Sequence, residues 1–138
     1  MNTLKDMKQY YVGDLCYVFD DKTWDEIWPQ ISDIGAWYTL KDGRRFFIGA
    51  TNQGDGCWTG SDGNEYAADA GCLGCVAIED VQDEEKFRRF IKDKTNPERR
   101  DYAHVKQVLG EPSCASEFGD FTLAGITIDT SDYSRYFA

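Results

Sequence analysis

The residues best suited to chemistry lie in two stretches rich in glycine and aspartate near the middle of the chain. One runs Gly54-Asp55-Gly56-Cys57-Trp58, and the other extends from Tyr66 to Cys75 and contains Asp69. Glycine lets a backbone approach a ligand closely, carboxylates hold a cation or a polar group, and an indole ring offers a stacking face. These residues predict a ligand loop built on Asp55, Trp58 and Asp69. The alternative is that they form the turns of hairpins, since glycine and aspartate dominate turns for conformational reasons.

Asp14 is a second candidate, because strand alternation groups it with apolar residues. Val12, Cys16 and Val18 lie an even number of residues from Asp14 and would share its face of a strand. Because that face is apolar, the Asp14 carboxylate is expected to point inward. A buried carboxylate requires hydrogen bonds or a counter-charge. It is therefore either a ligand or acid–base group acting with Asp55 and Asp69, or an aspartate bound by loop amides.

Other kinds of reactive site find little support. Cys72 and Cys75 form one C-x-x-C pair without the second pair that a structural zinc site needs, and no calcium-binding loop of the EF-hand type is present. The single histidine, His104, has no accompanying nucleophile motif, and no phosphate-binding loop is found. We expect no catalytic residue, metal or cofactor, and a binding module rather than an enzyme.

The charge of the chain is unevenly distributed. The net charge is −10, and residues 51–85 contain nine acidic residues and no lysine or arginine. Such a domain is a poor candidate for direct nucleic-acid binding, which needs clustered basic residues. An acidic surface suits a basic partner protein instead. The acidic residues expected to bind such a partner are Glu79, Asp80, Asp83, Glu84 and Glu85.

The strands that would position these residues are marked by turn signals. Asp42-Gly43 and Asp62-Gly63 each separate two runs of β-forming residues, which predicts two hairpins, the first with a type I′ turn. Further strands are predicted over residues 10–19, 72–78 and 118–128.

Helices are predicted over residues 23–31, 83–94 and 101–109, on apolar stripes and capping residues. Pro29 should kink or split the first of them. Adjacent strands with helices inserted between groups predict an α+β fold, an antiparallel or mixed sheet with two to three helices on one face.

Length and composition indicate one domain, residues 1–138, because a chain of this size can bury a single core without disulfides. The longest apolar run is five residues, so we expect no membrane span and no secretory signal. The five cysteines are odd in number and follow no disulfide framework. These features predict a cytoplasmic protein, and they leave its oligomeric state open.

Several motifs resemble a group of small uncharacterised proteins carried by bacteriophages and mobile elements. They are the run from Tyr11 to Val18, Gly54-Asp55-Gly56, the run from Tyr66 to Gly74, Gly119-Asp120-Phe121, and the run from Gly125 to Thr130. The resemblance implies a β-rich accessory protein and supplies no activity.

Charge and resemblance together give the functional hypotheses. The first is a small acidic module that binds the basic surface of a host protein and modulates that protein, as a phage accessory or anti-defence factor would. The alternative is a domain that binds a small ligand or divalent cation, or a hydrolase, that uses the aspartate, glycine and tryptophan loop.

Overall fold

The computed structural model describes residues 7–52, 54–81 and 104–131, and strands dominate these residues. The strands are β1 (Met7–Gly13), β2 (Ala36–Thr39), β3 (Arg45–Ala50), β4 (Gly56–Thr59), β5 (Glu65–Ala68), β6 (Cys72–Ala77), β7 (His104–Leu109), β8 (Cys114–Glu117), β9 (Asp120–Leu123) and β10 (Ile126–Asp129). They form a five-stranded sheet in the order β2-β3-β6-β1-β7, a three-stranded sheet in the order β10-β9-β8, and a β4-β5 hairpin.

The five-stranded sheet is antiparallel throughout and is covered on both faces. All six residues of its middle strand, β6, are buried. Gly74 lies in that strand where a larger residue has no room: a Cβ there would lie 2.2 Å from the Phe47 carbonyl oxygen and 2.8 Å from the Leu15 side chain. A strand buried on both sides needs apolar residues at successive positions, which explains its sequence Cys-Leu-Gly-Cys-Val-Ala.

One face of this sheet is covered by α1 (Asp21–Ile27) and by a 3-10 turn, Leu15–Tyr17, that follows β1. Asp20 caps the helix by accepting a hydrogen bond from the Thr23 amide at 2.8 Å. The helix ends at Ile27, and a 3-10 turn containing Pro29 follows, as the proline predicts. No helix in the described ranges is long and apolar enough to cross a membrane. The first core, on this face, is formed by Tyr11, Leu15, Val18, Phe19, Ile27, Leu40, Phe46, Ile48, Ala67, Cys72, Val76 and Val81.

The opposite face is covered by the three-stranded sheet and by one side of the β4-β5 hairpin, whose other side reaches the first core through Ala67. Inward and outward residues alternate along β9 and β10, as expected for a sheet with one face in solvent. The second core, on this face, is formed by Tyr10, Val12, Phe47, Trp58, Tyr66, Ala68, Leu73, Cys75, Ala77, Phe121, Leu123, Ile126 and Ile128. The central sheet therefore lies between two layers, and each layer presents its own outer surface.

Both predicted Asp-Gly hairpins are confirmed, because β2 pairs with β3 and β4 pairs with β5. The predicted type I′ turn is wrong. In the first hairpin Gly43 has a φ of 93° while Asp42 does not share the left-handed conformation. The Gly43 amide donates to the Leu40 carbonyl, which describes a three-residue loop closed by glycine. Turns with two left-handed residues occur elsewhere, at Phe118-Gly119 and Ala124-Gly125.

The predicted α+β class, with two to three helices on one face, is wrong. The described residues contain one α-helix of seven residues among ten strands, so the protein is mainly β. The predicted helix over 83–94 lies outside the described residues. Of the predicted helix over 101–109, residues 104–109 form β7, which pairs with β1 at the edge of the central sheet.

The error over β7 has a simple cause. Val105 packs against the first core and Val108 against the second, so the two valines face opposite sides of the sheet. A spacing of three matches one stripe of a helix, but it also matches a strand that is covered on both faces. Pairing with β1 decided between the two, as tertiary contacts override weak local preference.

Candidate functional site

Asp14 is fully buried and joins the turn after β1 to the β5-β6 connection. One carboxylate oxygen accepts hydrogen bonds from the amides of Asp69 at 2.7 Å and Ala70 at 2.8 Å, and the other accepts from the Cys16 amide at 3.0 Å. Burial raises the pKa of Asp14, and the hydrogen bonds from these amides oppose the rise. The predicted inward orientation is confirmed, and the carboxylate binds loop amides.

Asp69 and Asp55 lie near Asp14 but do not form a ligand site with it. Asp69 is exposed and its carboxylate accepts a hydrogen bond from the Tyr17 hydroxyl. Asp55 is exposed. Burial raises the pKa of the Cys72 thiol, and the nearby carboxylates of Asp14 and Asp55 raise it further. Within the described ranges, no three His, Cys, Asp or Glu side chains are grouped so as to hold a metal ion.

Trp58 does not lie with these three aspartates. It lies in the second core, 1% exposed, directly opposite Tyr66 in the β4-β5 hairpin. Its indole Nε1 is buried and has no hydrogen-bond acceptor in the described part of the chain. A ring enclosed in this way cannot serve as a stacking face for a ligand, so the structure separates Trp58 from the three aspartates.

Two acidic residues of the 51–85 stretch are engaged by lysines from elsewhere in the chain. Glu79 forms an exposed ion pair with Lys8 at 3.0 Å, and Asp80 lies beside it in the turn that follows β6. Asp62 forms an ion pair with Lys106 at 2.7 Å. Asp83, Glu84 and Glu85 lie outside the described residues. The charge surplus seen along the sequence is thus partly compensated in space.

Asp62 illustrates how strong that compensation is. Burial opposes its ionisation, but hydrogen bonds from Lys106, from the Tyr66 hydroxyl and from the Asn64 amide outweigh burial and lower the pKa of Asp62 to about 2. The carboxylate therefore holds the β4-β5 turn against β7 and is not free for a partner.

An uncompensated group of carboxylates lies instead on the outer face of the three-stranded sheet. Glu117 of β8 is directly opposite Asp120 of β9, and Asp120 is directly opposite Asp129 of β10. All three are exposed, and none forms an ion pair with a lysine or arginine of the described ranges. Like charges directly opposite each other destabilise a sheet. We call these three residues the acidic row.

Two exposed apolar side chains adjoin the acidic row, and we call them the apolar pair. Ile34 forms a β-bridge with Glu117, and the Phe118 amide donates to the Asp33 carbonyl at 2.7 Å. Ile34 and Phe118 are each 58% exposed. Phe118 has a φ of 49°, in the left-handed region that bulky residues rarely occupy.

This surface could not be predicted from the sequence, because the surface depends on the long-range register of the strands. Three acidic residues separated by turns look scattered in the sequence, and only pairing of β8, β9 and β10 brings them side by side. The available signal was the alternation of polar and apolar residues over 120–123 and 126–129.

Comparison of the chain with protein-family models, curated proteins and solved structures gives no match in any of the three.

Proposed function

We propose that the protein is an interaction module that binds another protein through the acidic row and the adjoining apolar pair. The observation that carries this proposal is the position of an exposed Phe118, in a left-handed conformation, next to three carboxylates without a described counter-charge. The partner has lysine or arginine residues around an apolar depression that receives the Phe118 ring.

The cost of this arrangement to the free protein supports a binding role. Left-handed backbone costs a residue with a Cβ about 1–2 kcal/mol, and asparagine or glycine at position 118 would avoid most of it. The facing carboxylates add repulsion that a basic partner would relieve. Features that lower stability and remain exposed are typical of binding surfaces, where stability and function trade against each other.

An aromatic side chain surrounded by charges also fits the energetics of recognition. Aromatic residues are enriched among those that dominate binding energy, and complementary charges around them speed association and select partners. The alternative ligand loop gains no comparable support, because Asp14 is saturated by amides and Trp58 is enclosed in the second core. A cytoplasmic location is proposed for the protein, supported by five cysteines that form no disulfide.

The test compares a variant that removes the Phe118 ring and improves its turn with a control variant that only improves a turn. Phe118→Asn places the preferred Asn-Gly sequence in the β8-β9 turn, and Ala124→Asn makes the same change in the β9-β10 turn, where Ala124 has a φ of 51°. Both substitutions should raise the free energy of unfolding by about 1 kcal/mol. Only Phe118→Asn should weaken partner capture, by tenfold or more, in quantitative pull-downs followed by titration of the purified partner.

A charge variant tests the acidic row separately. Glu117→Gln, Asp120→Asn and Asp129→Asn together keep the shapes of the side chains and remove the repulsion. This variant should be at least as stable as the parent, bind more weakly, and lose the salt dependence of binding. Equal capture by the parent, Phe118→Asn and the charge variant would refute the proposed surface.

A further inference from the structure

The C-x-x-C sequence does not bring its two cysteines together. Cys72 and Cys75 lie three residues apart in β6, so their side chains point to opposite faces of the central sheet. Cys72 belongs to the first core and Cys75 to the second. Any thiol chemistry of Cys75 must therefore involve a residue of the layer that covers the second face.

Strand β8 supplies that residue. The Ser116 side chain lies against Gly49 of β3, so β8 crosses the central sheet close to β3 and to its neighbour β6. Cys114 is two residues before Ser116 and shares its inward orientation, and it packs against the second core that contains Cys75. The side chains of Cys75 and Cys114 are close enough across this interface for each thiol to shift the pKa of the other. Both cysteines are free.

The two thiols are chemically unequal. The Cys75 side chain is completely buried, whereas Cys114 is half-buried and reachable by a small molecule from solvent. The neighbouring Cys75 thiol lowers the pKa of Cys114; burial opposes this, and the Ala124 amide assists it. The Cys114 thiol and burial raise the pKa of Cys75. A thiol of lowered pKa that a small molecule can reach, beside a second thiol, is the arrangement found at oxidisable cysteine pairs.

We propose that Cys114 and Cys75 form a modification site at which a hydroperoxide produces a reversible disulfide between the two sheets. The Cys114 thiolate attacks one peroxide oxygen, the O–O bond breaks, and the departing hydroxide takes a proton to become water. The Cys75 sulfur then attacks the Cys114 sulfenic acid, the S–O bond breaks, and the hydroxyl leaves as water with the Cys75 proton. Two thiols lose two electrons, and one hydrogen peroxide is reduced to two waters.

The disulfide would join the middle strand of the central sheet to the layer that carries the acidic row. Cys114 is the first residue of β8, outside the part of the strand that is hydrogen-bonded to residues 33–35. A dithiol reductant reverses the reaction by thiol–disulfide exchange. This inference does not depend on the proposed partner, because it concerns the chemistry of the isolated protein.

The test treats the folded, reduced protein with graded hydrogen peroxide and maps disulfides by mass spectrometry of peptides digested without reductant. We expect a mass loss of about 2 Da, a fall in free thiols from five to three, and one cross-linked peptide joining Cys75 to Cys114. Dithiothreitol should restore all five thiols. A cross-link between other cysteines, or over-oxidation without a cross-link, would overturn the proposal.

Variants separate the roles of the two thiols. Cys75→Ala removes the second thiol, so Cys114 should accumulate as sulfenic acid that reacts with dimedone. Cys114→Ala should abolish both the cross-link and the dimedone adduct at this site. Cys57→Ala is the matched control, because Cys57 is also half-buried but lies in the β4-β5 hairpin, and this variant should form the cross-link as the parent does. Loss of the cross-link in Cys57→Ala would contradict the assignment.

Discussion

Ser116 and Gly49 meet where the three-stranded sheet packs on the central sheet, and their contact predicts effects on stability that do not add. The Ser116 side chain is 5% exposed, and its hydroxyl has no hydrogen-bond partner in the described part of the chain. A buried hydroxyl without a partner costs about 1–3 kcal/mol. Ser116→Ala removes that cost and gives up a few dispersion contacts, so it should raise the free energy of unfolding by about 1 kcal/mol.

Gly49→Ala should have the opposite effect. A Cβ at Gly49 would lie 2.2 Å from the Ser116 hydroxyl oxygen and 3.1 Å from the Ser116 Cβ. Overpacking of this kind costs about 1–3 kcal/mol. When Ser116→Ala is introduced first, the 2.2 Å contact disappears and the 3.1 Å contact remains, so Gly49→Ala should cost at least ~1 kcal/mol less in that background.

The assay is urea unfolding followed by tryptophan fluorescence for the parent, both single variants and the double variant. Gly43→Ala serves as the control, because Gly43 has a φ of 93° and no neighbour within 4 Å of an added Cβ. It should lower stability by about 1 kcal/mol through backbone strain alone, equally with Ser116 or alanine at position 116. If the effects of Gly49→Ala and Ser116→Ala add within 0.3–0.5 kcal/mol, the reasoning about this contact is refuted.

Two further predictions concern buried and bridged carboxylates. Asp62 has a pKa of about 2 in the folded protein against an ordinary value of 3.8. The ionised carboxylate therefore stabilises the fold above pH 3.8, and this stabilisation is lost as pH falls towards 2. Asp62→Asn should remove about 1 kcal/mol at pH 7 after allowance for solvent screening and flatten the acid limb of a pH–stability profile, and an unchanged limb would contradict the assignment. Asp14→Asn directs an amide NH2 towards backbone donors and should cost about 1–3 kcal/mol at pH 7, measured by urea unfolding. Because the pKa of Asp14 is raised, the parent loses stability from this group as pH rises through the folded pKa, and the variant should lack that loss.

The sequence was informative wherever structure depends on neighbouring residues. The Asp-Gly pairs located both predicted hairpins, and Pro29 marked the end of α1, because glycine and proline restrict the backbone directly. Asp14 is buried as predicted, but strand alternation is not the cause, because β1 ends at Gly13 and Asp14 caps the following 3-10 turn. An amide that binds it belongs to the β5-β6 connection 55 residues away. No local pattern could identify that donor.

The errors arose where one pattern is compatible with two structures. The turn type at Asp42-Gly43 depends on whether one or both residues are left-handed, and loop length decides this rather than composition. The valine spacing in β7 fits a helix stripe and a doubly covered strand equally well. The predicted fold class was wrong for the same reason, because residues 104–109 fit a helix by their spacing but form a strand that pairs with β1.

The charge distribution shows why a count along the chain is a poor guide to a binding surface. Residues 51–85 hold the largest acidic surplus, yet Asp62 and Glu79 are engaged by Lys106 and Lys8, which belong to strands β7 and β1. The acidic row comes from a less acidic part of the sequence, and its carboxylates face one another without such partners in the described residues. Folding pairs part of the acidic surplus and leaves the acidic row, beside Phe118, without a lysine or arginine partner in the described residues, which is why we propose that binding occurs there.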